Sequence, residues 1–399
     1  MILVMGLGFV QNSVLARLLG AEGLGHMAVI NSVLNIAALL ATAGVTTSIL
    51  RYGAAEPRPD GAWAVYRSGL GLVAGVALAS AAGVALFSRS PLWVFDPVAA
   101  AWMPLVALVL PAQALASCSL SFLQARDRMR DKAVLELIAR VFAVSAVLIG
   151  AFLDGFPGCV IGLAIGIAVG SLVQMRHTRR LRAPGARPSV EPRELFRFGV
   201  WGLLTNALGL VLSTADVLSV SALVGDPKAV GIYSLASLFQ QVVTIPMRAY
   251  LDTRFAEMTR MSADPAGLRA MRRRMRLHLL LITLAPALAL AAIAPIALPW
   301  IFGAEFAASV PPLWILLVGQ VVYSTGAAQG RSMLAAGWVE GNFWAAAGAA
   351  AFNLTANLTL VPALGVIGAA IATASTYAFW AAAVSWMCRW HERVRIGRN

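Results

Sequence analysis

Five arginines lie within long apolar runs of the sequence or at the ends of such runs, where a charge is costly to place. A guanidinium stays protonated and can bind two oxygens of one anion at the same time. These positions therefore suit an anionic ligand, although a long arginine side chain can also extend from such a run toward water. The five are Arg17, Arg51, Arg140, Arg248 and Arg254.

Arg140 differs from the other four because it lies about two helical turns inside its apolar run. Glu136 precedes it by four residues, so a helix would place both side chains on one face. An ion pair with Glu136 would make Arg140 a structural residue. Without that pair, its charge would be available to a ligand. Both interpretations stay open at this point.

Asp216 is the acidic residue well inside the apolar runs of the second half of the chain, in Leu212-Ser213-Thr214-Ala215-Asp216-Val217. Burying a carboxylate in a membrane costs at least ~2.5 kcal/mol on insertion scales, so this side chain must face a cavity or be paired. We predict that it binds an ion or contacts a substrate. Hydrogen bonding between helices is the competing explanation.

Two pairs of asparagines have the four-residue spacing that brings side chains to one face of a helix. They are Asn31 with Asn35 and Asn353 with Asn357. Amides on a cavity wall can hydrogen-bond the hydroxyl groups of a ligand, and they can equally hold neighbouring helices together. The spacing alone does not decide between these roles.

The composition determines the class of protein that carries these residues. Of 399 residues, 59% are hydrophobic and only 12% are charged, which cannot form a soluble surface. The chain is therefore predicted to be an all-α integral membrane protein with several crossings. Its net charge of +13 is explained by arginine-rich cytoplasmic loops, so no nucleic-acid partner is predicted.

Catalytic and metal-binding motifs are absent from the sequence. Cys118, Cys159 and Cys388 lie far apart in or near apolar segments, without the spacing of metal ligands, and the four histidines are scattered. Phosphate-binding loops, dinucleotide fingerprints and nucleophile-base pairs are also missing. We therefore predict no enzyme activity, no catalytic residue, no metal and no cofactor.

Apolar runs long enough to cross about 30 Å of hydrocarbon predict about twelve transmembrane helices. The first run lacks a charged leader and a small-residue cleavage site, so we expect a helix there and not a signal peptide. A basic, proline-rich connector divides the chain into an N-terminal lobe at 1–175, the connector at 176–197 and a C-terminal lobe at 198–399. The runs are 1–18, 25–50, 66–87, 99–120, 134–152, 157–173, 198–223, 231–250, 277–302, 312–328, 343–361 and 366–387.

The loops give the orientation. Nearly all cations fall on the side of the connector, whereas Arg17, Arg89 and Lys228 fall on the other side. The positive-inside rule then places both termini and the connector in the cytoplasm. Arg17 is notable because it lies on the side where cations are scarce.

The two halves resemble each other. Residues 18–32 read LLGAEGLGHMAVINS and residues 223–237 read LVGDPKAVGIYSLAS, and a Val-Ile-Gly triplet recurs at 160–162 and 366–368. Because each half has six predicted helices, the repeat is parallel about an axis along the membrane normal. Two six-helix lobes with a cleft between them form the plan of a transporter. In the sixth helix, a four-residue repeat of small residues predicts a close-packing face, formed by Gly158, Gly162, Gly166 and Gly170.

Five motifs carry a resemblance to a known family. They are Arg17-Leu18-Leu19-Gly20-Ala21-Glu22-Gly23-Leu24-Gly25, Arg51-Tyr52, Val230-Gly231-Ile232-Tyr233-Ser234-Leu235-Ala236, Pro299-Trp300-Ile301-Phe302-Gly303-Ala304-Glu305-Phe306 and Leu360-Val361-Pro362-Ala363-Leu364-Gly365-Val366-Ile367-Gly368-Ala369-Ala370. In combination they resemble the polysaccharide-transporter branch of the multidrug/oligosaccharidyl-lipid/polysaccharide exporter superfamily. The chain departs from many relatives in having about twelve helices and not fourteen.

The resemblance implies a function. Such proteins are flippases that move undecaprenyl-diphosphate-linked oligosaccharides across the bacterial inner membrane for O-antigen, lipopolysaccharide, exopolysaccharide or capsule synthesis. It also implies membrane lipids, glycosyltransferases and a polysaccharide polymerase as partners. On this basis the five arginines would hold the diphosphate, the four asparagines would receive the glycan, and Asp216 would couple transport to an ion. The two lobes would work by alternating access.

Two other functions remain. A multidrug or cation antiporter of the same superfamily would share the fold but would prefer an acidic cleft, for which Asp216 alone gives limited support. A membrane-embedded glycan polymerase would be expected to carry a large outer loop, and the predicted outer loops are short.

Overall fold

A computed structural model describes residues 2–183, 190–261 and 264–396, and these contain no β-strand. The helices follow one another with short connections. Their bounds are α1 Ile2–Thr42, α2 Val45–Ala55, α3 Pro59–Phe87, α4 Pro97–Ala107, α5 Leu110–Ala125, α6 Met129–Arg179, α7 Pro192–Val224, α8 Pro227–Arg260, α9 Pro265–Phe302, α10 Val310–Ala335 and α11 Val339–Ile396, with a 3₁₀ turn at Ala304–Ser309.

Three of these helices contain a break in the backbone. α1, α6 and α11 have 41, 51 and 58 residues, more than a single crossing of the bilayer needs. The breaks fall at Gly20, Gly155 and Gly365, whose φ angles are 67°, 58° and 57°. Glycine tolerates this left-handed conformation because it has no Cβ. Each long helix therefore consists of two helices that meet at a glycine.

Most of the described helices have the length and hydropathy of membrane-spanning segments. Within the described residues, seven helices are long and apolar enough to cross a membrane, or eight if α4 and α5, which meet at a bend of 59°, form one span. The protein is therefore a multi-pass membrane protein. The breaks in α1, α6 and α11 are consistent with the predicted twelve crossings, and the number twelve itself stays a prediction.

Three helices begin with the same short motif, an aspartate followed by a proline. Asp96, Asp226 and Asp264 precede α4, α8 and α9, and each carboxylate accepts a hydrogen bond from the backbone N–H two residues later, at 3.0, 2.9 and 3.0 Å. The carboxylate satisfies an N–H that would otherwise lack a partner, and proline at the first helical position has no N–H to satisfy. The sequence thus fixes where these helices start.

The chain forms two compact units, unit 1 at Met1–Leu210 and unit 2 at Val211–Asn399, so the division falls inside α7. In the connector predicted at 176–197, α6 continues to Arg179 and α7 begins at Pro192. Residues 184–189 lie outside the described part of the chain. The lobe limits inferred from the sequence stay predictions.

The glycine stripe of the sixth predicted helix is confirmed as a close-packing face. It lies in the second half of α6 and packs against the first half of the same helix. A Cβ on Gly158 would lie 2.0 Å from the Gly150 carbonyl oxygen, and one on Gly162 would lie 2.2 Å from that of Ala146. Gly166 and Gly170 approach Ala143 and Ala139 in the same way. Only residues without a side chain fit there.

We expect Gly162→Leu to destabilise unit 1 by about 2 kcal/mol or more, because the new side chain would separate the two halves of α6. The apparent melting temperature of the purified protein in detergent measures the effect. Gly75→Leu is the matched control, since nothing lies within 4 Å of a Cβ at that position. Equal melting temperatures for the two variants would contradict the packing role.

Candidate functional site

Unit 2 contains a buried carboxylate that is held by several hydrogen bonds. Asp216 lies on α7 and is only 5% exposed. Its Oδ1 accepts hydrogen bonds from the side-chain amides of Asn353 at 3.0 Å and Asn357 at 2.8 Å. Its Oδ2 accepts from the hydroxyl groups of Tyr233 at 3.0 Å and Thr373 at 2.5 Å. We call these five residues the Asp216 cluster.

The break in α11 brings the donors of the cluster together. Asn357 and Thr373 lie eight residues before and eight residues after Gly365, on opposite halves of the helix. The halves approach closely, since a Cβ on Gly368 would lie 2.2 Å from the Leu360 carbonyl oxygen. The reversal at Gly365 therefore places both side chains at one depth in unit 2, where α7 supplies the carboxylate.

The charge of Asp216 is not balanced by a cationic side chain. All four donors are neutral, and in the described ranges no lysine or arginine forms an ion pair with it. The Asn357 Oδ1 atom is also buried, and it has no hydrogen-bond partner among the described residues. A buried carboxylate beside a free carbonyl oxygen is suited to bind a proton or a hard cation, which prefers oxygen ligands.

Sequence reasoning found part of this cluster. Asp216 and the Asn353–Asn357 pair were proposed separately, and the structure joins them in one site. The hydrogen bonds also link α7 to α11, as the competing explanation for Asp216 expected. Tyr233 and Thr373 were missed as site residues, since a lone tyrosine or threonine in an apolar helix carries no signal of its own.

Arg140 is not neutralised by Glu136. The Glu136 carboxylate lies 3.8 Å from the Lys132 ammonium instead. The Arg140 Nε is buried and lacks a hydrogen-bond partner within the described part of the chain. Its Nη2 faces the backbone of α1, where a Cβ on Gly8 would lie only 2.9 Å away. Arg140 is therefore a charge held inside unit 1 beside a glycine.

The contacts of Arg51 and Asn31 in the described residues do not include Arg140. The Arg51 guanidinium lies 4.4 Å from the ring centre of Phe198, in a cation-π contact. Arg17 is exposed. Asn31 donates to the Met27 carbonyl of its own helix at 2.8 Å, and Asn35 is exposed, so these two amides do not form the joined pair seen in unit 2.

The two predicted arginines of unit 2 line different cavities. Arg254 pairs with Glu257 at 2.9 Å and lines a cavity of about 280 Å³ between α8 and α9. Arg248 is exposed and lines a cavity of about 350 Å³ bounded by α8, α10 and α11. The structure thus supplies two basic cavities in this unit.

A second buried acidic group lies in unit 1 and was missed. The Asp96 carboxylate contacts the His26 imidazole, and both side chains are buried. Glu22 lies 3.8 Å from the other ring nitrogen, and the Phe156 ring packs against the imidazole with centroids 5.2 Å apart. The pair links α1 to the start of α4. His26 and Asp96 are 70 positions apart, and no pattern in the sequence indicates that they are in contact.

The described residues contain no group of three or more histidine, cysteine, aspartate or glutamate side chains that could hold a metal ion. Cys118, Cys159 and Cys388 are buried.

Comparison with solved structures defines the class. The chain is similar to the lipid II flippase MurJ in an inward closed conformation, with a TM-score of 0.74 and 13% identity, over 96% of this chain and 85% of MurJ. It is about as similar to an inward-facing multidrug resistance MATE family transporter, with a TM-score of 0.73 and 16% identity, over 99% of this chain and 95% of that one. The fold is that of the multidrug/oligosaccharidyl-lipid/polysaccharide exporter superfamily, whose members here are transporters and flippases.

A third neighbour is a transporter of the same superfamily from Pyrococcus furiosus, with a TM-score of 0.59 and 13% identity, over 99% of this chain and 93% of that one. No curated protein matches the sequence. Residues 1–250, more than half of the chain, match the family described as polysaccharide biosynthesis protein. The chain belongs to this family.

We expect Asp216→Leu to lower the melting temperature of the purified protein more than Asp216→Asn does. Leucine would leave two amides and two hydroxyl groups buried without their acceptor, at a cost of about 2 kcal/mol or more. Asparagine keeps an acceptor oxygen at the same place. A leucine variant as stable as the asparagine variant would show that the cluster does not hold α7, α8 and α11 together.

Proposed function

We propose that the protein is a flippase that moves an undecaprenyl-diphosphate-linked oligosaccharide from the cytoplasmic to the outer leaflet of the bacterial inner membrane. The product would enter O-antigen, exopolysaccharide or capsule synthesis. The observation that carries the proposal is the match of residues 1–250 to a polysaccharide biosynthesis family. It links a transporter fold to polysaccharide chemistry, which the fold by itself does not do.

Arg140 is the arginine that we assign first to the diphosphate. Its charge lies well inside an apolar helix and is not balanced by an acid in the described residues, which is a costly arrangement that a bound anion would offset. Arg17, Arg51, Arg248 and Arg254 are the further candidates for holding the diphosphate during its passage. Each of them has the donors that two phosphate oxygens require.

The Asp216 cluster is assigned to ion coupling. Asn353 and Asn357 direct their amides to Asp216, so we assign them to the ion site and leave Asn31 and Asn35 as the amides for the glycan. A cation or a proton at Asp216 would compete with the hydrogen bonds that join α7 to α11. Binding and release of that ion would then change the packing of unit 2 and drive alternating access.

The location and the partners follow from the same proposal. The arginine-rich loops support an orientation with both termini in the cytoplasm, where glycosyltransferases would assemble the lipid-linked substrate. A polymerase on the outer side would receive the product. No cofactor is required, because the energy comes from an ion gradient or from consumption of the product.

An antiporter that exports cationic drugs is the second candidate. The MATE family transporter has nearly the same TM-score as MurJ, and Asp216 could bind a cation. The arginines favour an anionic ligand, so we place this function second.

We expect deletion of the gene to cause accumulation of a complete undecaprenyl-diphosphate oligosaccharide and loss of its surface polymer, because the substrate would stay in the cytoplasmic leaflet. Mass spectrometry of the lipid extract and quantification of surface polysaccharide measure both. An unchanged lipid-linked pool together with increased sensitivity to cationic drugs would favour the antiporter.

Complementation tests the residues. Wild type should restore the polymer, whereas Arg140→Ala and Asp216→Asn should fail at equal membrane abundance. Arg58→Gln is the matched control, since Arg58 is an exposed arginine that lies 3.9 Å from Glu56 and 4.0 Å from Asp60. In vesicles, transport by the wild type should respond to an imposed sodium or proton gradient, and Asp216→Asn should not respond to either. A gradient response in that variant would remove Asp216 from the coupling mechanism.

A further inference from the structure

The 350 Å³ cavity of unit 2 has walls of different chemical character. Residues of α8 and α10 supply charged groups and a tyrosine ring, and the two halves of α11 supply an amide and an indole ring. We call it the Arg331 cavity. The residues that the argument uses are Arg248, Asp252, Tyr323, Arg331, Asn342 and Trp380.

Arg331 forms an ion pair with an aspartate of the same unit. Its guanidinium contacts the Asp252 carboxylate and also lies 5.5 Å from the ring centre of Phe255. Asp252 is the more exposed partner, at 64% against 34% for Arg331. An exposed ion pair contributes little to the free energy of folding. A ligand with more negative charge can therefore replace the carboxylate with little loss of protein stability. Arg248, on the same helix as Asp252, adds a second guanidinium.

The cavity also has a fixed aromatic surface, formed by rings of α10 and α11. The Trp380 and Tyr323 rings stack with centroids 4.4 Å apart and an angle of 20° between their planes. The edge of Trp380 packs on Gly330, where a Cβ would lie 3.0 Å from the indole, and the Asn342 Oδ1 lies 3.4 Å from the same point. The ring cannot turn freely, and a carbonyl oxygen lies next to it. Such a surface suits the apolar face of a sugar and one of its hydroxyl groups.

We propose that the Arg331 cavity binds the phosphate-sugar end of the lipid-linked substrate. Arg331 and Arg248 take the phosphate oxygens, Trp380 and Asn342 contact the first sugar, and Asp252 occupies Arg331 until the phosphate replaces it. This inference rests on the proposed function and adds to it the place in unit 2 where the substrate is recognised.

A phospholipid headgroup could bring a phosphate to the same arginines, because the guanidinium recognises the phosphate and not the molecule that carries it. The aromatic surface distinguishes the lipid-linked substrate from a phospholipid. A substrate with a sugar on its diphosphate gains contacts with Trp380 and Asn342, whereas phosphatidylglycerol has no ring to place there.

The test is calorimetric binding to the full-length protein in detergent. The probes are farnesyl diphosphate, the same lipid with one N-acetylglucosamine on its diphosphate, and phosphatidylglycerol. We expect Arg331→Gln and Arg248→Gln each to weaken binding of both diphosphates by about tenfold or more, the usual worth of a charged hydrogen bond. Trp380→Ala should remove the preference for the sugar-bearing lipid and leave farnesyl diphosphate unaffected.

The direction in which Asp252→Asn changes the affinity for the diphosphates decides whether Asp252 competes with phosphate. If Asp252 competes with phosphate, this variant should bind both diphosphates several-fold more tightly than the wild type. If the Arg331–Asp252 pair is only structural, the variant should bind equally or less well, which would overturn the inference. Lys228→Gln is the control because it removes another ion pair of unit 2, with Glu305 at 3.7 Å. Lys228 lies at the start of α8, about 30 Å along the helix from Arg248, and does not line the cavity.

The remaining outcomes are also decisive. Equal affinity for phosphatidylglycerol and for the sugar-bearing lipid would identify an ordinary headgroup site and reject the inference. Undiminished binding by Arg331→Gln with a wild-type melting curve would do the same. If gene deletion causes the lipid-linked pool to accumulate while the cavity variants bind normally, the proposed function stands and this inference fails. If the pool is unchanged, the proposed function itself fails.

Discussion

A membrane interior offers no water to a polar group, so every buried carboxylate must find its partners within the protein. Asp216 meets this requirement with donors from α8 and from both halves of α11. The arrangement makes three helices of unit 2 depend on one side chain. Among the described residues, the hydrogen-bond donors to this carboxylate are all neutral.

Glycine makes such convergence possible in this protein. A straight helix of 58 residues could not bring Asn357 and Thr373 to the same carboxylate, and the reversal at Gly365 does so. The break at Gly155 has the same effect in α6, where four glycines let the two halves touch along their backbones. Helices in lipid have no hydrophobic driving force for association. In both cases glycine instead lets the two backbones approach closely enough for van der Waals packing.

The arginines follow a different rule. Two of them have a partner of their own. Arg51 forms a cation-π contact with Phe198, and Arg254 forms an ion pair with Glu257. Arg140 lies apart from this group because Glu136 turns to Lys132. Arg331 is an intermediate case, paired with Asp252 but within a cavity that also has an aromatic wall.

The sequence by itself determined the membrane class, most of the helices, the close-packing face of α6 and which residues share one face of a helix. Asn353 with Asn357 is an example, because a four-residue spacing fixes a shared face wherever the helix lies. Only the tertiary structure decided which faces meet. Asp216 is 137 and 141 positions from those amides, and His26 is 70 positions from Asp96. Apolar helix surfaces differ little from one another in lipid, so the pattern of hydrophobic residues does not encode these contacts.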